Sequence, residues 1–145
     1  MTRAVFPIVV HVLLQRQTER RELFLLRRAG TGFMDGFFGL PGGHVQAGEL
    51  PSEAAVRECL EETGSRPLDL QPVCAMPYRS GAHCGVNLVF TARHGELEPT
   101  LAEPEAADLA VWAAQESLPE PRAGWIDDVL ARQASGDWYT EFDRP

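Results

Sequence analysis

The sequence has little positive charge. It contains 13 Lys and Arg residues against 21 Asp and Glu residues, which gives a formal net charge of −8 at pH 7. A protein that binds a nucleic-acid polymer neutralises backbone phosphates with a basic surface, and this composition predicts no such surface. We therefore expect no nucleic-acid polymer as a partner. A small phosphorylated substrate remains compatible with this charge, because a bound metal ion can reverse the local electrostatic potential.

Cysteine is also scarce. The chain has only Cys59, Cys74 and Cys84, an odd number without the paired spacing of a zinc site. A chain of 145 residues can bury about 70% of the surface that its unfolded form exposes, so it needs no disulfide bonds for stability. These features favour a reducing, cytoplasmic location.

Long hydrophobic runs are absent. The apolar stretch near the beginning is interrupted by Pro7 and His11, and no small-residue cleavage site follows it. We expect this stretch to form a strand rather than a signal peptide, and we expect no membrane as a partner. Internal repeats and low-complexity linkers are also lacking, so residues 1–145 are predicted to form a single domain.

Hydrophobic periodicity predicts a domain that mixes strands and helices. Strands are predicted at Val5–Leu14, Glu22–Arg28, Phe37–Leu40, Leu68–Tyr78, Val86–His94 and Leu109–Ala113, and helices at Pro51–Thr63 and Pro121–Gln133. The second strand is expected to pair with the first. The pattern indicates an α/β or α+β domain with a sheet flanked by at least two helices.

The segment from Gly43 to Gly64 is the most informative part of the chain. Pro51 suits the first position of a helix, and Gly64 suits a left-handed cap at its end. On that helix one arc faces a core, formed by Ala55, Val56, Cys59, Leu60 and Thr63. A second arc carries three acids at helical spacing, Glu58, Glu61 and Glu62.

These three acids allow two interpretations. A solvated acidic face is the simpler one, although like charges at this spacing cost about 0.2–0.5 kcal/mol per pair. The turn Leu40–Gly43 favours the other, because its glycines let backbone carbonyls approach a cation. Mg²⁺ prefers oxygen ligands and takes a few carboxylates together with substrate phosphates and water. The sequence therefore predicts a site for a divalent cation.

The same segment resembles the Nudix box, the signature of the Nudix (MutT-like) pyrophosphohydrolases. Seven identities stand at the family spacing: Gly43, Glu49, Arg57, Glu58, Glu61, Glu62 and Gly64. Two positions depart from the family pattern, since Cys59 and Ser65 stand where aliphatic residues are usual. The resemblance implies the Nudix fold, a mixed β-sheet sandwiched between helices. It also implies Mg²⁺-dependent (or Mn²⁺-dependent) hydrolysis of a diphosphate bond in a nucleoside diphosphate linked to another group.

Carried over residue by residue, the resemblance implies a role for each box residue. Glu58 and Glu62 are expected to be metal ligands and catalytic residues, with Glu61 beside them and the carbonyl of Gly42 or Gly43 as a further ligand. Arg57 is expected to orient the carboxylates, and Glu49 to support the loop or to bind metal through water. The family often takes one more glutamate from outside the box, for which Glu103 and Glu105 are candidates, although a solvated loop acid is the alternative for both.

Several residues outside the box are candidates for substrate binding. His44 follows the glycine pair and is expected either to reach a phosphate or to be an ordinary loop residue. Phe33 is expected to stack on a base or to pack in the core, and Arg27 to meet phosphates or to lie on the surface. His11, in an apolar strand, is expected to be a structural histidine. The aromatic tail from Trp138 to Phe142 has three alternatives: it folds back, covers the cleft, or packs in a dimer.

The sequence leaves the substrate open among nucleoside triphosphates, nucleotide sugars, ADP-ribose and dinucleoside polyphosphates. A catalytically silent Nudix-fold module that binds or senses a nucleotide is the main alternative to an enzyme. Loss of box glutamates would favour that alternative, and none is lost here. Specificity is expected to reside in loops outside the box, at residues 30–38 and 78–86. The oligomeric state, including a homodimer, is left open.

Overall fold

The computed structural model describes all 145 residues, which form eight strands and two helices. In chain order these are β1 (Ile8–Gln17), β2 (Arg21–Arg28), β3 (Phe38–Gly39), β4 (Gly42–His44), α1 (Pro51–Thr63), β5 (Leu68–Ser80), β6 (His83–Arg93), β7 (Ala107–Ala114), α2 (Ile126–Ser135) and β8 (Phe142–Arg144).

Strand β1 is the centre of the sheet and belongs to two groups of strands. Its first half runs parallel to β6 and antiparallel to β4, while its last residues, Gln15–Gln17, pair antiparallel with β2. Beyond β6 the sheet continues through antiparallel β5 to parallel β8. Beyond β2 it continues on either side to β3 and β7, both antiparallel. The sheet is therefore mixed, as predicted.

The two helices lie against opposite apolar surfaces of this sheet. Helix α1 contributes Ala54, Ala55 and Cys59 to one core cluster, in which it packs on Val10, Val12 and Leu14 of β1. Helix α2 contributes Ile126 and Val129 to the other cluster, which includes Leu13. Successive residues of a strand point to opposite faces, so β1 supplies both cores in alternation. The predicted arrangement of a mixed sheet between helices is confirmed.

The apolar run in β2 has the same explanation. Leu23 and Leu25 are buried in the α2 cluster, whereas Phe24 and Leu26 are buried in the α1 cluster. A strand that is covered on both faces has no polar face, so its sequence is continuously hydrophobic instead of alternating. This is why residues 23–26 lack a clean period of two.

Helix α1 begins and ends as its sequence predicts. The Leu50 side chain cannot cap the helix, and instead the Glu53 carboxylate accepts a hydrogen bond of 2.8 Å from the Leu50 backbone N–H. Gly64 adopts a φ of 72° and donates its N–H to the Leu60 carbonyl at 2.9 Å. The expected core arc was wrong at Leu60, whose side chain is 43% exposed because only residues 54, 55, 59 and 63 meet the sheet closely enough to be buried.

The structure differs from the sequence predictions mainly at strand ends. Strand β1 starts and ends three residues later than expected, and α2 starts at Ile126 rather than Pro121. Two short strands, β4 and β8, were not predicted, because pairing with a neighbouring strand rather than local sequence creates them. Neither helix of the protein is long and apolar enough to cross a bilayer.

The core assignment predicts that replacing a buried leucine lowers the free energy of unfolding much more than replacing an exposed one. We expect Leu25→Ala, at a fully buried position of β2, to lower the free energy of unfolding by about 2–5 kcal/mol, because it leaves a cavity under α2. The matched control is Leu60→Ala on α1, for which we expect a change below about 0.5 kcal/mol. Urea denaturation followed by circular dichroism measures both. Equal losses in the two variants would contradict this assignment of the core.

Candidate active site

A cleft of about 680 Å³ opens beside the amino-terminal end of β1. The β2–β3 loop, the β5–β6 hairpin, strand β4 and the segment before α2 form its walls. Its lining is largely apolar and aromatic, and Glu62 and Glu103 provide carboxylates on one side. A concave, mostly apolar site with a few polar groups is typical of sites for small molecules and cofactors. Residues from both predicted specificity loops, 30–38 and 78–86, line this cleft.

Two glycines of β4 allow close approaches, Gly43 to a side chain of α1 and Gly42 to the backbone of β1. A Cβ atom on Gly43 would lie 2.5 Å from Oε1 of Glu58, and one on Gly42 would lie 2.1 Å from the Val10 carbonyl oxygen. Neither distance is possible for a real side chain, so another residue at Gly43 would displace the Glu58 carboxylate, and one at Gly42 would push β4 away from β1. The Gly42 backbone N–H also donates a hydrogen bond of 3.2 Å to Oε2 of Glu62. The glycine strand and two box carboxylates are thus in direct contact.

Arg57 holds the acidic face of α1 in one arrangement. Its guanidinium donates to both oxygens of Glu49, at 2.7 and 3.0 Å, and to Oε1 of Glu58 at 2.8 Å. A weaker contact of 3.5 Å reaches Glu61, and a further hydrogen bond of 3.1 Å reaches the His44 carbonyl. The two-pronged pair with Arg57 lowers the pKa of Glu49 to about 2. Arg57 therefore ties the loop before α1 to the carboxylates on it.

Burial raises the pKa of two acids of the Nudix box. Desolvation is the main reason why the pKa of Glu62 is raised to about 8; the nearby charges of Glu58 and Glu103 act in the same direction, and the hydrogen bond from Gly42 acts against them. Desolvation also raises the pKa of Glu58, although its contact with Arg57 acts in the opposite direction. Buried carboxylates that repel one another resist deprotonation. A positive charge placed among them would relieve both effects.

Of the two acids proposed outside the box, Glu103 lies at the cleft and Glu105 does not. The Thr100 and Ala102 backbone N–H groups donate to the Thr63 and Glu62 carbonyls, at 2.8 and 3.1 Å. These bonds dock the loop on the end of α1. Glu103 lines the cleft, and desolvation together with the charges of Glu105, Glu61 and Glu58 raises its pKa. Glu105 is exposed outside the cleft lining.

The donor set at this end of the cleft fits a hard divalent cation. Glu58, Glu62 and Glu103 supply carboxylate oxygens, and the adjacent glycine strand supplies backbone carbonyls without an obstructing side chain. Oxygen ligands of this kind suit Mg²⁺ or Mn²⁺. The structure contains no group of three or more acidic, histidine or cysteine side chains already close enough to share an ion. The carboxylates would therefore have to draw together around a cation.

The three candidates for substrate binding have different surroundings. His44 and Phe33 both line the cleft. Arg27 instead forms a two-pronged ion pair with Asp108, with hydrogen bonds of 2.8 and 3.2 Å, and lies outside the cleft lining. Its neighbour Arg28 lines the cleft, where its guanidinium donates to the Phe33 carbonyl at 2.7 Å. The alternation of side chains along β2 could have indicated this, because it places Arg28 on the same face of the strand as Leu26, another residue of the cleft lining.

Two lining residues were not predicted from the sequence as part of the site. Asn87 lies on the cleft floor, and His11, expected to be only structural, lies beside it. A polar Asn within the apolar run of β6 was a signal for Asn87. The aromatic tail folds back: the Ala75 backbone N–H donates to the Trp138 carbonyl at 2.7 Å, and β8 pairs with β5. Phe142 thereby forms part of the cleft wall, and of the three alternatives for the tail the structure shows folding back.

The high pKa of Glu62 predicts a pH-dependent stability in the absence of divalent ions. The folded-state pKa is about 8 against an ordinary value of 4.5, so the folded protein retains a proton that the unfolded chain releases. The resulting stabilisation is complete below about pH 4.5 and is lost as the pH rises through about 8. In a chelator, the free energy of unfolding should fall across this window.

The variant Glu62→Gln cannot titrate at this position, and we expect its stability to fall less steeply with pH. Glu96→Gln changes an exposed acid without hydrogen-bond partners and should follow the wild type. Urea denaturation at a series of pH values gives all three profiles. Equal slopes for the wild type and Glu62→Gln would show that Glu62 is not desolvated as described.

Comparison with known proteins identifies the family. A segment of 51 residues is 41% identical to the 8-oxo-dGTP diphosphatase of Escherichia coli and covers 35% of this chain and 40% of that protein. A segment of 71 residues is 39% identical to the ADP-ribose pyrophosphatase of Methanocaldococcus jannaschii and covers 48% of this chain and 41% of that one. The matched segments therefore span about two fifths of these relatives' lengths.

The fold extends the likeness over nearly the whole chain. A solved MutT NUDIX hydrolase from Burkholderia pseudomallei superposes with a TM-score of 0.81 at 24% identity, covering 89% of this chain and 98% of that one. At this identity the match demonstrates the shared fold. The family described as NUDIX domain matches residues 5–133. The resemblance seen in the box is thus confirmed, and the chain belongs to the Nudix family.

Proposed function

We propose that the protein hydrolyses a diphosphate bond in a nucleoside diphosphate linked to another group, with Mg²⁺ or Mn²⁺ as the cofactor. One observation carries the proposal. The carboxylates of Glu58 and Glu62, which repel each other, contact the glycines of β4 at one side of a cleft of about 680 Å³. That volume falls within the range of about 300–1,000 Å³ typical of small-ligand sites.

The carboxylates of Glu58, Glu62 and Glu103 would hold the divalent cations, with Glu61 at the outer edge and the Gly42 or Gly43 carbonyl as a further ligand. Bound there, the metal would neutralise phosphate charge and make a water molecule more acidic. Raised pKa values for Glu58, Glu62 and Glu103 support this role, because each acid gains most from a nearby positive charge. Glu105 is the weaker candidate, since it is exposed outside the cleft.

Arg57 and Glu49 would act by positioning rather than by touching the substrate. The two-pronged pair between them fixes the guanidinium, and the remaining nitrogen holds Glu58 at 2.8 Å. Groups that orient metal ligands in this way strongly affect metal affinity and activity. Lysine could not replace Arg57, because a single ammonium group cannot hold both carboxylates in the same plane.

The phosphate chain would lie beside the acids and meet other polar groups of the cleft lining. Arg28 and His44 both line the cleft and are the candidates for this contact, whereas the Asp108 pair occupies Arg27. The exposed ring of Phe33, which also lines the cleft, is available for contact with the organic part of the substrate. A nucleotide substrate is supported by the names of the relatives, whose substrates, 8-oxo-dGTP and ADP-ribose, both contain a nucleoside diphosphate.

The reaction consumes one water molecule. The water oxygen forms a new bond to one phosphorus atom, the bond from that phosphorus to the bridging oxygen breaks, and the bridging oxygen leaves with the other phosphoryl group. The proton of the attacking water passes to solvent or to a basic group at the site. Orientation and charge stabilisation account for most of the catalysis in phosphoryl transfer, and the acids and Arg28 would provide both.

A nucleotide-binding module without catalysis is the alternative. The complete set of box acids and their contact with the glycine strand favour the enzyme, because binding alone does not require a costly cluster of buried carboxylates. Tight nucleotide binding without turnover on any substrate, with Mg²⁺ or Mn²⁺ supplied, would favour the module instead.

We expect Glu58→Gln to lower metal-dependent turnover by about a hundredfold or more while the fold stays intact, because the amide cannot replace a charged metal ligand. Release of phosphorylated products from a panel of nucleoside triphosphates, nucleotide sugars, ADP-ribose and dinucleoside polyphosphates measures the effect, with and without chelator. Glu96→Gln, which changes an acid outside the cleft, should retain wild-type turnover. Full activity in Glu58→Gln would contradict the role of Glu58 as a metal ligand.

A further inference from the structure

A polar pair lies on the otherwise apolar floor of the cleft. His11 of β1 and Asn87 of β6 are joined by a hydrogen bond of 2.7 Å between Nδ1 of the imidazole and Oδ1 of the amide. Both residues line the cleft, and Asn87 is only 3% exposed. We call these two residues the floor dyad.

Each member of the floor dyad keeps one polar atom without a partner in the protein. The Asn87 amide nitrogen and His11 Nε2 make no hydrogen bond to any other residue, although the opposite atom of each side chain is paired. Neither atom is among those sealed completely from solvent. A buried amide is normally satisfied on both sides, because an unpaired group costs free energy. Each residue of the floor dyad therefore has one polar atom that is free to form a hydrogen bond with a ligand in the cleft.

The hydrogen bond between the two residues fixes what those atoms offer. Since the amide oxygen can only accept, Nδ1 of His11 carries the hydrogen, and Nε2 of the neutral ring is an acceptor. The Asn87 amide nitrogen is a donor. The floor of the cleft therefore presents one donor and one acceptor.

The surrounding residues keep the imidazole in this orientation. The Trp125 ring packs on His11 with centroids 4.5 Å apart, and Gly42 lies against the edge of the imidazole, where a Cβ would be 2.6 Å from its Cδ2. A ring held by two neighbours loses little conformational freedom when it binds a ligand, which favours recognition by preorganised groups.

We propose that the floor dyad binds the hydrogen-bonding edge of a nucleobase and makes the protein selective for bases that carry an N–H donor beside an acceptor. His11 Nε2 accepts from the N–H, and the Asn87 amide donates to the neighbouring oxygen or nitrogen. This inference rests on the proposed function, since it assumes that the cleft receives a nucleotide. Glu62 lines the same cleft, so one nucleotide can reach both the floor dyad and the acids.

The test compares two purine nucleotides that differ only at this edge. Inosine 5′-monophosphate has an N–H next to a carbonyl, whereas purine riboside 5′-monophosphate lacks both. We expect the wild type to bind the first at least about tenfold more tightly, because the second has no N–H at this edge and leaves His11 Nε2 without a donor. Isothermal titration calorimetry without divalent ions measures both dissociation constants.

Three variants locate the effect. In Asn87→Leu and in His11→Phe, which keeps an aromatic ring against Trp125, we expect the ratio of the two dissociation constants to fall to about one. Thr91→Val is the matched control: it removes a polar group from the same face of β6 outside the cleft, where Thr91 bonds to Gln15, and it should keep the wild-type ratio. Asn87→Asp preserves the side-chain size if Asn87→Leu does not fold, as judged by thermal unfolding, and should also lose the preference.

A wild-type ratio near one, absence of binding to both nucleotides, or an unchanged ratio in Asn87→Leu or Asn87→Asp and in His11→Phe would each overturn the proposal. Since calorimetry detects binding without turnover, its result is separate from that of the hydrolysis assay. A selective wild type that hydrolyses no nucleotide would support the floor dyad while refuting the proposed function.

Discussion

The close approach of α1 to strand β4 is the constraint on which the rest of the site depends. At Gly42 and Gly43 the strand has no side chains: the Glu58 carboxylate occupies the space that a Cβ of Gly43 would take, and β1 occupies that of Gly42. The approach brings backbone carbonyls and acids into one small volume, and it buries the acids enough to raise the pKa values of Glu58 and Glu62. The packing that stabilises the fold thus also creates a local excess of negative charge.

Arg57 partly neutralises this local negative charge. It binds Glu49 and Glu58 closely and Glu61 loosely, while Glu62 turns inward to the Gly42 backbone N–H. The arginine therefore neutralises the outer part of the acidic face and leaves the inner part uncompensated. A cation could occupy the uncompensated inner part, so the same helix carries a structural ion pair and the proposed cation site within one turn.

The sequence predicted local features better than those created by distant contacts. The limits of α1, its left-handed glycine cap and the acids on one arc all follow from residues within one turn of each other. Strand β8 exists only because it pairs with β5, and the exposure of Leu60 depends on how far the sheet extends beneath α1. Arg28 lines the cleft in place of the predicted Arg27 for the same reason, because the choice between them depends on which face of β2 meets the cleft.

Strand β8 has a practical consequence for handling the protein. It adds to the edge of the sheet at β5, and Phe142 within it forms part of the cleft wall. A deletion that reaches Phe142 would therefore remove part of the wall as well as the tail. The opposite end of the chain is safer for fusion, since residues 1–6 are exposed and none of them lines the cleft. Immobilisation through the amino terminus would leave the cleft open to ligands.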